Sequence, residues 1–265
     1  AYNVLMNTKP GAALRALRPF PVQQSWPLAN RLLVDPVLGV RIEAASLLAA
    51  MPPDRLSPEE RTRLSRALDD YVAAQRLAAD RPEHRLNLAN LFMQQRRLVE
   101  AGAELAAARA LDPSFTPIYV SLAQLDAQQG RDADGERTLR DALARMPEAA
   151  DLHHALGLNL IRQRRAADAL PELSRAAMLD PANARFAYVL AIALNSAGRA
   201  DEALQTLQAN HARHPADRDT LFALVTINRD AGRTDSALDW ARRLAATDPT
   251  AQVLVDQLRQ PSLPR

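Results

Sequence analysis

The sequence contains no cysteine, which excludes disulfides, thiolate metal sites and covalent haem attachment within this chain. Lysine is almost missing as well: of 33 basic residues all but Lys9 are arginine, a usage that follows GC-rich coding and fits a bacterial source. Aromatic residues make up only 4%, and eight glycines leave few places where backbone could closely approach a cofactor. No apolar run reaches the roughly eighteen residues that a membrane span requires. No signal peptide is visible, and a chain opening at Ala1 reads as a processed terminus or the edge of a fragment. The motifs G-x-S-x-G, H-E-x-x-H and a Gly-rich phosphate loop are all absent. The expectation is a non-catalytic chain with no cofactor of its own.

What is present is 48% apolar and dominated by alanine and leucine, a composition that favours helices packed through small side chains. The net charge is +2. Lys9, Arg15, Arg18, Arg31, Arg41 and Arg55 outweigh Asp35, Glu43 and Asp54 in residues 1–56, and the rest is nearly balanced. A nucleic-acid binder concentrates more positive charge than this, so nucleic acid is not an expected partner.

One spacing organises most of the chain. Pro113, Pro147, Pro181, Pro215 and Pro249 follow one another at intervals of 34 residues. Leu88, Leu122, Leu156 and Leu190 keep the same interval, as do Arg97, Arg131, Arg165, Arg199 and Arg233. So does a small-residue column of Ala101, Gly135, Ala169, Ala203 and Ala237. Columns in phase over five units define a repeat. Each unit reads as two amphipathic helices. In the fourth, Phe186, Val189, Leu190 and Ala193 stand at helical spacing, Gly198 ends the first helix, and Pro215 stops the second. Connections of a few residues make the two helices antiparallel neighbours. The small column falls early in the second helix, where a larger side chain would push the pair apart.

These residues resemble the tetratricopeptide repeat. That motif sets a small residue mid-way along its first helix (here Ala89, Ala123, Gly157 and Ala191), another early in its second, and a closing proline. The fifth unit departs with Val225, and the turn glycine present as Gly130, Gly198 and Gly232 is replaced by Arg96 and Arg164. The resemblance implies an all-α solenoid, a right-handed superhelix of antiparallel helix pairs whose concave face is lined by the first helices. On that analogy the partner-binding groove comprises Leu86, Asn90, Met93 and Gln94; Val120, Gln124 and Gln128; His154, Leu158, Ile161 and Arg162; Tyr188, Ile192 and Asn195; and Phe222, Thr226 and Arg229. Apolar anchors mixed with amides suit an extended or helical peptide. The groove has no lysine, so gripping a C-terminal carboxylate in the manner of some family members is disfavoured.

Upstream, DPVLGVRIEAASLLA at 35–49 resembles a HEAT-type repeat, in which a D-P turn precedes V-R-x-x-A-A, here Val40, Arg41, Ala44 and Ala45. The expected organisation is an irregular segment plus HEAT-like helix pair at 1–56 and a long linking or capping helix at 57–81. Five tetratricopeptide units follow over 82–251 (82–115, 116–149, 150–183, 184–217 and 218–251), then a capping helix and tail at 252–265. The proline-bearing stretch LRPFPVQQSWPL reads as an extended linker or irregular cap, and Leu64, Leu68, Val72 and Leu77 as cover for the first repeat. The order of parts is similar to the C-terminal portion of certain bacterial multihaem cytochrome c proteins. That would imply a periplasmic parent with haem domains upstream, a cytoplasmic home being the alternative.

The expected function is therefore a protein- or peptide-binding scaffold. The alternative is a structural or docking arm, or homodimerisation module, of a larger periplasmic multihaem cytochrome or other enzyme complex. The arginine column reads as structural, pairing with local acids or helix-end carbonyls. His153 and His154 are adjacent on a helix and diverge by about 100°; His211 and His214, three apart, could face the same way, but a site would need further ligands and only His84 remains, far off in sequence, so no metal is expected.

Overall fold

The computed structural model describes residues 10–259, so expectations for the first nine residues and the PSLPR tail lie outside the described residues. The chain is all-α, a solenoid of antiparallel helix pairs, with no strand among the described residues. It divides into two compact units, Ala1–Leu125 and Asp126–Arg265.

The first unit starts with α1 (Pro10–Leu17), α2 (Val22–Ala29) and α3 (Leu38–Leu48), the last entered through a 3₁₀ turn at Asn30–Val34. The expected linker around Pro19–Pro27 is thus partly helical. Pro21 precedes α2, where no amide is needed, and Pro27 sits on its exposed side. Trp26 explains the helix: it is buried in the core, with its indole N–H donating to Glu60 at 3.4 Å. Arg41 donates to Asp70 at 2.9 Å and to the Asp35 carbonyl at 2.8 Å, tying the D-P turn to the next helix.

That helix, α4 (Pro58–Arg76), opens on a capping box. The Ser57 hydroxyl accepts from the Glu60 amide at 3.3 Å, and the Glu60 carboxylate accepts from the Ser57 amide at 2.9 Å. The helix ends four residues short of the expected 80. Leu77 is 90% exposed and covers nothing, a correction; Leu64, Ala67 and Leu68 make the packed stripe. Then come α5 (Pro82–Gln94), α6 (Leu98–Leu111) and α7 (Pro117–Gln128), whose last turn opens the second unit. The second unit continues with α8 (Asp132–Leu143), α9 (Ala150–Arg162), α10 (Ala166–Leu179), α11 (Ala184–Ser196), α12 (Ala200–Arg213), α13 (Arg218–Asp230), α14 (Thr234–Thr247) and α15 (Gln252–Arg259). Successive helices pack as pairs, α9 on α10, α11 on α12 and α13 on α14, and each pair stacks on the next.

Every turn inside a pair has the same geometry. The arginine column supplies the N-cap residue of each second helix, and its amide reaches back to the carbonyl five residues earlier: Arg97 to Phe92 (2.8 Å), Arg131 to Asp126 (2.9 Å), Arg165 to Leu160 (2.9 Å), Arg199 to Leu194 (2.9 Å) and Arg233 to Asn228 (2.8 Å). This is the long bond of a Schellman stop, and the residue before the arginine must be left-handed. Gly130, Gly198 and Gly232 meet that need freely, whereas Arg96 (φ 61°) and Arg164 (φ 62°) meet it at a cost of about 1–2 kcal/mol each.

The small residues set the distance within a pair. Ala101, Ala169, Ala203 and Ala237 are fully buried. Gly157 on α9 faces Leu173 on α10 so closely that a Cβ there would lie 2.6 Å from the Leu173 side chain. Val225 does not loosen the fifth unit: it is 1% exposed and packs with Ala241 and Val255, so the larger side chain fills space beneath α15. In α15 the buried residue is Val255, while Val253 is 59% exposed.

The junctions between repeats of the second unit differ in chemistry. Between α8 and the third repeat, Glu136 accepts from Arg165 at 2.7 Å and Gln163 at 2.8 Å, and Asp132 accepts from Arg162 at 2.8 Å. The Asn159 amide, fully buried, donates to the Asp132 carbonyl at 3.0 Å. Burial raises the Glu136 pKa, but the hydrogen bonds from Gln163 and Arg140 and the charge of Arg165 outweigh it and hold the carboxyl below its ordinary value. Between α10 and α11 the contact is apolar instead, Leu170 packing with Leu190 and Leu194.

Candidate partner-binding face

On the first helices of the second unit, residues four and three apart share a face, and the 34-residue interval repeats that face from helix to helix. The columns are His154, Tyr188 and Phe222; Leu158, Ile192 and Thr226; and Ile161, Asn195 and Arg229. The core side of these helices is closed by Leu156 and Leu160 on α9, Ala191 and Leu194 on α11, and Leu221, Leu224 and Val225 on α13. The other face stays apolar where a solvated helix would be polar: Leu158, Ile161, Ile192 and Phe222 are 36–46% exposed.

Polar residues on this face differ in how far they are committed. Arg162 pairs with Asp132 and Arg229 with its neighbour Asp230 at 2.9 Å. Thr226 bends back to the Ala223 carbonyl at 3.2 Å. Gln128 is exposed and Asn195 half-buried. The Tyr188 ring lies under the Arg185 guanidinium, 5.6 Å from its centroid. His154 is half-buried against Phe186, with ring centroids 4.6 Å apart, and its buried Nδ1 finds no hydrogen-bond partner among the described residues. Burial, reinforced by the charge of Arg185, pushes its pKa down to about 4, so the imidazole is neutral at pH 7.

The candidates in the first unit are placed differently. Met93 is 5% exposed and belongs to the core cluster, and Leu86 packs against that cluster. Ile161, in the same column, is 37% exposed. Asn90 accepts from the Ser121 hydroxyl at 3.4 Å, Val120 is half-buried, and Gln94 and Gln124 are exposed. This part of the first unit therefore presents amides and no open apolar strip.

The arginine column holds local acids. Arg97 pairs with Glu100, Arg131 with Asp126, Arg165 with Asp168 and Arg199 with Glu202, all within 2.6–2.8 Å, and Arg233 pairs with Asp201 of the preceding repeat. His153 bonds Glu172 at 2.6 Å and the Pro147 carbonyl at 2.9 Å. Among the described residues no group of three His, Asp or Glu gathers as metal ligands, and no helix is long and apolar enough to cross a membrane. Sequence reasoning missed the buried amides Asn159 and Asn210. Asn210 donates to the Ala184 carbonyl at 3.0 Å and to Thr220 at 2.8 Å. The available signal was an amide on an otherwise apolar stripe.

Stacked antiparallel pairs with Schellman turns and a small-residue crossing define a helical-repeat interaction scaffold. Two tetratricopeptide-repeat family models match the chain, over residues 59–114 and 160–209. Those two stretches are tetratricopeptide repeats, a repeat that generally builds non-catalytic scaffolds for protein partners. No curated relative matches the sequence. Among solved structures the fold is similar to that of YrrB, a tetratricopeptide protein with an unusual peptide-binding site, at 21% identity and a TM-score of 0.50 over 70% of this chain and 96% of that one. It is also similar to MamA, at 16% identity and a TM-score of 0.53 over 63% and 97%. TTC0263, a thermophilic tetratricopeptide protein from Thermus thermophilus, follows at 19% identity and a TM-score of 0.51 over 67% and 98%.

Proposed function

We propose that the exposed face of α9, α11 and α13 holds an extended or helical peptide segment of a partner protein. The observation that carries this reading is the repeated apolar strip of Leu158, Ile161, Ile192 and Phe222, left open by helices whose other faces are buried. Phe222 and Tyr188 act as anchors, since aromatic side chains bring large contact area at low entropic cost. Asn195 serves the peptide backbone. The unusual peptide-binding site of YrrB supports a peptide as the class of ligand.

The test is to select peptides against the full chain from a random displayed library, then measure their affinity for single variants. Phe222→Asp, Tyr188→Asp and Leu158→Asp should each weaken binding by about tenfold or more. Unchanged far-UV circular dichroism would show that the fold is kept. Equal affinity for all three variants would remove the proposal. A concentration-dependent dimer broken by the same substitutions would mean that a second copy occupies the face.

A further inference from the structure

The turn between α5 and α6 borders a cleft of about 740 Å³ within the first unit. Its floor is a stripe of α4, Leu64, Leu68 and Val72, closed at one end by Met51 and Leu56. The second unit has a counterpart of about 710 Å³ three repeats later, where Ala166, Leu170 and Ser174 of α10 take the places of that stripe. Both clefts carry the column arginine, Arg97 in one and Arg199 in the other, each neutralised by its own glutamate, Glu100 or Glu202. A cleft at this place thus recurs in both units.

The charge at its mouth is not. In the first unit Arg61 and Arg96 line the cleft, where the equivalent positions three repeats later are Gln163 and Gly198. Neither guanidinium has a carboxylate within ion-pair distance among the described residues, and Arg61 reaches only the Pro53 carbonyl, at 3.3 Å. One carboxylate, Asp69, lines the cleft against these two free cations. Arg96 also holds a left-handed turn that glycine would adopt without strain, so the cation is kept at the mouth against the local preference. The rim is open and polar, with the exposed amide of Gln94 free to meet a peptide backbone.

We propose that this cleft is a second docking site, separate from the face of α9, α11 and α13, and that it takes an acidic peptide segment. An aliphatic side chain enters between Leu68, Val72 and Met51, and flanking carboxylates are bound by Arg61 and Arg96 as charge-assisted pairs. Cleft volume and lining match those of sites that combine an apolar floor with a few polar groups.

The experiment uses the full chain and a short fluorescein-labelled peptide of leucine and glutamate, followed by anisotropy. Peptides of leucine with lysine and of serine with glutamate are controls. The leucine–glutamate peptide should bind, the controls should not, and added salt should weaken the complex. Arg61→Gln and Arg96→Gly should each weaken it by about tenfold. Arg96→Gly should also raise the melting temperature, so its loss of binding cannot be unfolding. Ile192→Asp should leave this affinity unchanged, which separates the cleft from the face in the second unit. No binding, affinity equal to wild type in the Arg61→Gln/Arg96→Gly double variant, or binding abolished by Ile192→Asp would each overturn the proposal. So would equal binding of the serine–glutamate peptide, or capture of free octanoate with the peptide left unbound.

Discussion

Adding one methyl group at Gly157 and at Gly102 should change stability in opposite directions. Both glycines lie inside helices, α9 and α6, where alanine is favoured by about 1 kcal/mol. At Gly102 a Cβ meets nothing nearer than a Leu125 methyl at 3.5 Å, an ordinary contact, so Gly102→Ala should stabilise by about 0.5–1 kcal/mol. At Gly157 the new Cβ would sit 2.6 Å from two Leu173 side-chain atoms and 3.4 Å from the Ala169 carbonyl oxygen. Leu173 is fully buried and cannot swing away without displacing its neighbours. Overpacking of this kind costs about 1–3 kcal/mol, so Gly157→Ala should be destabilising by about 1 kcal/mol net. Urea unfolding followed by far-UV circular dichroism reads both changes, with the slope checked because repeat arrays unfold in parts. A Leu173→Ala background removes the obstacle, and there Gly157→Ala should become stabilising. A Gly157→Ala protein more stable than wild type, or an effect unchanged in the Leu173→Ala background, would refute the claim that this contact sets the helix spacing.

Three further expectations follow from local features. Ser57→Ala removes half of the capping box on α4 and should destabilise the first unit by about 1 kcal/mol, read as a lower urea midpoint, while Ser57→Asp should retain most of it. Arg164→Gly relieves a left-handed arginine and should stabilise the chain by up to about 1 kcal/mol in the same assay, whereas Arg164→Val should destabilise it. His154 has a folded pKa of about 4, below the unfolded value of about 6.5, so between those values the unfolded state binds more protons. Stability should therefore be full above about pH 6.5 and fall as the pH drops towards 4, by roughly 1–2 kcal/mol after allowance for partial exposure. Urea midpoints measured against pH should flatten in that window in His154→Phe.

The repeat was legible because several columns kept one phase, and each column has a separate physical job: a left-handed turn, a close crossing, a helix stop. The same register runs one unit further upstream than the expected start. Arg63 and Ala67 stand 34 residues before Arg97 and Ala101, Ala67 is 1% exposed, and the family match begins at residue 59. That signal was present but masked, since no first helix precedes α4 in phase and α3 packs there instead. The helix at Val22–Ala29 was hidden by prolines that its ends and exposed side tolerate. Placement of the candidate face was only partly readable. Met93 and Ile161 occupy the same column, yet one is core and the other exposed, because neighbouring helices decide burial. The cleft beside Arg96 could not be read at all, because it forms only where the turn at 94–97 meets the stretch 49–72, which precedes it by more than twenty residues.

The uneven chemistry of the joints makes the order of the repeats matter. Glu136 and Asp132 have no acidic counterpart at the same positions of the other repeats, where Gly102, Leu170, Leu204 and Leu238, or Leu98, Ala166, Ala200 and Thr234, stand instead. A shuffled array would bring Arg162 against an aliphatic side chain and take Gln163 away from Glu136, leaving that carboxylate to Arg140 of its own helix and to a column arginine. Concentrated salt should correspondingly loosen the ionic joint before the greasy one, giving the array a hinge whose stiffness answers to its ionic surroundings.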